Sequence, residues 1–138
     1  MPSQRILGEL VTGLGKASDF TSLDWARGAF RTQLAIDPYP GTVNLLVKSD
    51  KQRKAWQNVK SWPGIIIPPP RPDWCNSRCY KVKLADSIDA AIILPEVDSY
   101  PDNQIELIAA IAVRTTLELV DGDNVMIDVS KPQIVADG

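Results

Sequence analysis

The stretch Ile105-Glu106-Leu107-Ile108-Ala109-Ala110-Ile111-Ala112-Val113 decides how the second half of this chain folds. It is apolar apart from Glu106, and periodicity alone allows either a strand or a buried helical segment. Downstream, Asp121-Gly122-Asp123 reads as a turn, and Val125, Ile127 and Val129 then alternate strictly, the pattern of a half-buried strand. Upstream, residues 79–84 alternate as cleanly and residues 90–94 form a buried apolar run. A carboxylate inside an apolar run such as 105–113 is either the solvent side of an amphipathic strand or a polar anchor in a pocket.

The first half is more mixed. Residues 6–12 alternate weakly as a first strand, ended by Gly13-Leu14-Gly15. Leu23, Ala26, Phe30 and Leu34 have helical spacing, with Trp25 on the flank and Thr21 or Ser22 available as a cap, so residues 21–34 read as a helix. Asp37-Pro38-Tyr39-Pro40-Gly41 breaks that helix and launches residues 42–47, an apolar and β-branched strand. Residues 48–62 carry Lys48, Lys51, Arg53, Lys54 and Lys60 against Asp50, a short basic helix with Trp56 and Val59 as its buried stripe. Its charged face is either simply solvated or steers an anionic substrate. Pro63-Gly64, the run Ile65-Ile66-Ile67 and the prolines from Pro68 to Pro72 read as an extended surface excursion within one fold. No repeats or low-complexity tracts occur. About six short strands with a few short helices point to a mainly β chain, a small barrel with helical decoration.

At 138 residues the chain suffices for one domain with a real core, here expected at residues 6–129 with 130–138 as a tail. Apolar residues at 44% and charged residues at 23% mark a globular protein. Fifteen Lys and Arg against 17 Asp and Glu leave a net charge of −2, which argues against a nucleic-acid-binding role. The chain holds 0 histidines, which excludes Ser-His-Asp and Cys-His catalysis and His-ligated zinc. Cys75 and Cys79 cannot complete a four-ligand zinc site; they read as structural thiols, with a disulfide as the alternative. The N-terminal MPSQRILGELV lacks a long apolar core and no long apolar run follows, so the expectation is a cytoplasmic protein without membrane spans.

Two motifs carry chemistry. In Thr12-Gly13-Leu14-Gly15-Lys16, closely spaced glycines after a strand are either a plain turn or a loop whose N–H groups approach phosphate, with Lys16 adding charge. In Pro40-Gly41-Thr42-Val43-Asn44, Thr42 and Asn44 share one strand face, so their oxygens either bond across the sheet or serve a hard cation such as Mg2+. Arg114 lies close behind Glu106 in sequence and either pairs with it or reaches a phosphate.

Taken in order, several segments resemble the archaeal-type CTP-dependent riboflavin kinases. They are Gly8-Glu9-Leu10-Val11-Thr12-Gly13-Leu14-Gly15, Pro38-Tyr39-Pro40-Gly41-Thr42-Val43-Asn44, Ser99-Tyr100, Ile105-Glu106-Leu107-Ile108-Ala109, Val113-Arg114 and Leu119-Val120-Asp121-Gly122-Asp123-Asn124-Val125. The resemblance implies a compact six-stranded cradle-loop barrel, makes residues 105–111 a strand and puts a short helix at about 112–117. It implies transfer of the γ-phosphoryl of CTP to riboflavin, giving FMN and CDP, with Mg2+; the expected partners are these small molecules alone, with no nucleic acid and no membrane, and the expected state is a monomer. Nucleotide would be bound by Gly13, Leu14, Gly15, Lys16, Ala17 and Ser18 and by Ile111, Ala112, Val113 and Arg114. Thr42 and Asn44 match the metal ligands, and Ser99 and Glu106 fall where the family holds flavin; no general base is implied. Trp56, Trp62, Trp74 and Tyr100 are then either core or stacking surfaces for the ring. The loop departs from the family's Gly-x-Gly-Glu-Gly at Lys16 and Ala17, which puts a cation where the family has an acid. Rival readings are a related kinase with another donor or acceptor and a non-catalytic flavin- or nucleotide-binding module.

Overall fold

The computed structural model describes residues 3–12, 24–39, 41–68, 76–97 and 100–131. Seven strands and three helices follow in the order β1 (Ser3–Val11), α1 (Asp24–Leu34), β2 (Val43–Leu46), α2 (Asp50–Lys60), β3 (Ile65–Ile67), β4 (Ser77–Leu84), β5 (Ile88–Pro95), β6 (Gln104–Ala109), α3 (Val113–Thr116) and β7 (Asn124–Ser130). Every pairing is antiparallel. The order β4-β5-β6-β2-β1-β7 returns to β4 through Val82↔Val129 and Leu84↔Ile127, so six strands close into a barrel. The short β3 pairs with the first half of the same β4 edge, Ile65 opposite Cys79 and Ile67 opposite Ser77. Part of the stretch expected as an extended excursion is therefore a strand, because Ile67 has an apolar surface to cover.

Alternation fills the barrel. Ile6, Leu10, Leu45, Tyr80, Val82, Leu84, Ile92, Ile105, Leu107, Val125, Ile127 and Val129 form one interior cluster. From α2, Trp56 and Val59 join it, which explains why that otherwise charged helix docks where β2 ends. Ser49 caps α2 by accepting from the Gln52 N–H at 3.2 Å. Val113 joins the interior from α3, beyond the opposite end of β6.

A second cluster covers the outside of β5 and β6. Ala26, Phe30, Leu34 and Ile36 lie with Ile67, Cys79, Ala91, Ile93 and Ile108. Consequently β6 is buried at every position, facing the barrel interior on one side and covered on the other. That burial is the physical reason the 105–113 stretch lacks alternation. The strand ends at Ala109, two residues short of the expected 111, and α3 begins at Val113. The Cys79 thiol is buried and free, and burial pushes it up to about 12, which makes it an inert core thiol. Cys75 lies outside the described residues.

Barrel closure leaves little room between β1 and β2. A Cβ on Gly8 would stand 2.8 Å from the Leu45 Cβ. Gly8→Ala is expected to cost about 1–3 kcal/mol through overpacking. Thermal unfolding followed by circular dichroism should show a midpoint lowered by roughly 3–10 °C; an unchanged midpoint would mean the seam is looser than described.

Candidate functional site

The site starts with a backbone constraint. Gly41 takes φ +97°, a left-handed conformation open to glycine, and this turn delivers Thr42 and then β2. The register sets Val43 opposite Leu107 and Asn44 opposite Glu106. Val43 and Leu107 face the interior, so Asn44 and Glu106 stand together on the outer face of the barrel.

Glu106 is nonetheless 0% exposed and Asn44 only 6%. The carboxylate therefore does not stand on a solvated strand face. The Tyr100 hydroxyl donates to Glu106 Oε1 at 2.7 Å, Gln104 Nε2 approaches the same oxygen at 3.4 Å, and Thr42 Oγ1 donates to Oε2 at 3.4 Å. Burial first, and the bond to Glu106 second, push the Tyr100 phenol above its ordinary value, so it remains a donor throughout the neutral range. Asn44 Oδ1 is buried without a hydrogen-bond partner among the described residues. A buried orphan acceptor is uncommon and suits a position that completes its coordination with a bound group.

Beside this cluster a cleft of about 220 Å³ opens, lined by Tyr39, Gly41, Thr42, Leu107, Ala109 and the segment 111–115. The Tyr39 N–H donates to the Ala109 carbonyl at 2.7 Å, pinning the approach to β2 against the end of β6. Tyr39 and Ile111, 52% and 38% exposed, present apolar surface at the cleft. Thr42 and the expected nucleotide segment Ile111, Ala112, Val113 and Arg114 therefore share one cavity.

Arg114 does not pair with Glu106. Its Nη2 donates to Asp121 Oδ1 at 2.7 Å, to Thr12 Oγ1 at 2.9 Å and to the Val11 carbonyl at 3.2 Å. The Thr12 hydroxyl also donates to Asp121, at 2.6 and 2.7 Å to its two oxygens. Backbone bonds between Leu10 and the 122–123 turn lock the same corner. This knot ties the end of β1, α3 and the Asp121-Gly122-Asp123 turn together at the point where the glycine-containing loop begins. The expected ligands Gly13, Leu14, Gly15, Lys16, Ala17 and Ser18, and also Ser99, lie outside the described residues.

Of the aromatic candidates, Trp56 and Trp62 are core residues, Tyr100 is buried against Glu106, and Trp74 lies outside the described residues. Sequence reasoning missed Tyr39 at the cleft and Gln104 beside the carboxylate. Tyr39 sits between two prolines that fix its backbone extended, and Gln104 stands two residues from Glu106 on the same strand face; both signals were available.

Among the described residues no three His, Cys, Asp or Glu side chains gather as a metal cage. A hydroxyl, an unpartnered amide oxygen and one carboxylate are hard oxygen donors, however, and fit a divalent cation that draws its remaining ligands from water and phosphate.

The fold and the site define a closed-barrel domain with a ligand cleft at one end and a buried carboxylate at its side. The family model CTP-dep_RFKase, described as "Domain of unknown function DUF120", matches residues 10–129. The chain belongs to this CTP-dependent riboflavin kinase family. A riboflavin kinase of Pyrobaculum calidifontis is 35% identical over 135 residues, covering 92% of this chain and 60% of that protein. One from Methanocella arvoryzae is 36% identical over 123 residues, 86% of this chain and 53% of the relative. A third, from Methanobrevibacter smithii, is 33% identical over 124 residues, 90% of this chain and 98% of the relative. The chain thus spans little more than half the length of the first two and nearly all of the third. No helix among the described residues is long and apolar enough to cross a membrane.

The Arg114 knot has a pH signature. Hydrogen bonds from Thr12 and then Arg114 hold the Asp121 carboxyl below its ordinary value. A depressed folded-state value means its stabilisation is present above the unfolded value and fades as pH falls through the folded one. Asp121→Asn should therefore lower the melting midpoint at pH 7 and make little difference at pH 2–3. An equal effect at both pH values would show that the carboxylate charge contributes nothing.

Proposed function

We propose that this chain is a riboflavin kinase domain that moves the γ-phosphoryl group of CTP to the terminal ribityl hydroxyl of riboflavin, giving FMN and CDP. The observation that carries this reading is the cluster of half-buried Thr42 with buried Asn44 and Glu106, at the edge of the cleft lined by segment 111–115. Membership of the family and relatives named riboflavin kinase supply the reaction class. The family name supplies CTP as donor.

Thr42 and Asn44 would hold Mg2+, the one with its hydroxyl and the other with its orphan amide oxygen. When bound, that ion neutralises phosphate oxygens. Glu106, fixed by Tyr100, accepts hydrogen bonds from the polar part of the acceptor and so holds the ribityl chain at the cleft. Segment 111–115 and the loop that starts beyond Thr12 receive the triphosphate, with Lys16 as a point charge for the outer phosphates. As the ribityl oxygen bonds to the γ-phosphorus, the bond to the β-bridging oxygen breaks and the hydroxyl proton leaves to phosphate or water. Such a transfer passes through a loose transition state that rewards positioning and charge neutralisation over strong bases, so a chain without histidine is competent.

The test incubates the protein with riboflavin, Mg2+ and each of the four nucleoside triphosphates and follows FMN. FMN is expected with CTP above the other donors, and Thr42→Ala with Asn44→Ala should abolish turnover while leaving the melting curve near wild type. FMN formed equally well by the double variant would remove both residues from the metal site, and no FMN with any donor would overturn the reading.

A further inference from the structure

Among the described residues, Arg114 is the one charged side chain that lines the cleft. Its surroundings follow from the chain reversal after α3. The Leu119 N–H donates to the Arg114 carbonyl at 2.8 Å, and Glu118 takes φ +53° as the chain turns back. In the 121–123 turn that follows, Gly122 at φ +97° donates its N–H to the Leu10 carbonyl at 2.8 Å. This backbone lock carries the Asp121 side chain to Arg114 and to Thr12, just past β1.

The three side chains close a triangle. Arg114 Nη2 donates to Asp121 Oδ1 at 2.7 Å and to Thr12 Oγ1 at 2.9 Å, while the Thr12 hydroxyl donates to the same carboxylate. Every hydrogen bond that the Arg114 guanidinium makes to a described residue runs through Nη2. Nη1 and Nε keep their N–H groups for another partner. A guanidinium anchored at one nitrogen retains a planar edge suited to bidentate contact with phosphate. Asp121 and Thr12 are absent from the cleft lining, so they bear on its contents only through Arg114.

By charge alone Asp121 works against the cleft. It is an anion beside a cavity read as taking a polyanion, and simple Coulomb repulsion would weaken such a ligand. Its ion pair with Arg114 leaves the two side chains 40% and 53% exposed, so it contributes modestly to stability. The larger consequence is orientation, since a long side chain held in place has less rotamer freedom to lose when a ligand arrives.

We propose that Asp121, seconded by Thr12, is a positioning residue for the phosphoryl donor: it holds Arg114 by Nη2 so that the free edge of the guanidinium meets the triphosphate. The inference rests on the kinase reading, in which the triphosphate enters this cleft. It goes further in making an acid outside the cleft raise the affinity for an anion inside it.

The test is calorimetry with CTP, or whichever nucleoside triphosphate the wild type binds, and with the matching nucleoside, which lacks the phosphates. Asp121→Ala should weaken triphosphate binding about three- to tenfold, the range expected for ordering one long side chain, and leave nucleoside binding unchanged. Asp121→Asn keeps one acceptor oxygen and should recover part of that loss; it also keeps the test open if Asp121→Ala melts early. Arg114→Ala should weaken the triphosphate at least as much, and adding Asp121→Ala to it should cost nothing further. Affinity unchanged or raised in Asp121→Ala, as loss of a negative charge alone would give, would overturn the assignment while sparing the kinase reading. Equal losses for triphosphate and nucleoside, or losses that add in the double variant, would overturn it too. A wild-type protein that binds no nucleoside triphosphate would overturn both.

Discussion

The carboxylate of Glu106 is the constraint around which the site is built. Taking a charged group fully out of water is costly unless hydrogen bonds replace its hydration. Here the replacement comes from Tyr100, Gln104 and Thr42, drawn from the segment before β6, from β6 itself and from the turn into β2. Those donors fix where the two strands and the preceding segment must lie.

Barrel closure turns that local cluster into a site. Pairing of β2 with β6 sets Asn44 opposite Glu106, and pairing of β1 with both β2 and β7 carries Thr12 to Asp121 and Arg114. The end of β1, the start of β2, the end of β6 and α3 therefore meet at one end of the barrel, where the cleft opens. At the other end α2 docks through Trp56 and Val59.

Much of this was legible in the residues, and what was not has physical causes. Strands β4 and β7 alternate because only one of their faces is buried over most of their length, and their positions follow from that pattern. Helix α2 declared itself through Trp56 and Val59 against a charged background. Strand β6 did not, since the barrel interior and the second apolar cluster bury both its faces and erase the period. For the same reason Glu106 could not be assigned a side from sequence, as nothing local reveals that an outward position will be covered. Arg114 looked like a partner for Glu106 by proximity in sequence, yet the chain between them turns into α3 and points it at Asp121. The Thr42 and Asn44 pair was legible from strand periodicity alone, but its placement beside Glu106 needed the register. The contact of Arg78 with the Lys60 carbonyl was not legible either, because 18 residues separate the two.

The central claim is that Thr42, Asn44 and Glu106 form one binding centre between nucleotide and flavin. Anomalous diffraction from crystals grown with Mn2+, CDP and FMN tests it most directly. The account predicts a manganese peak bonded to Thr42 Oγ1 and Asn44 Oδ1, with flavin density in contact with Glu106. A manganese peak bound elsewhere, or flavin density away from Glu106, would contradict it.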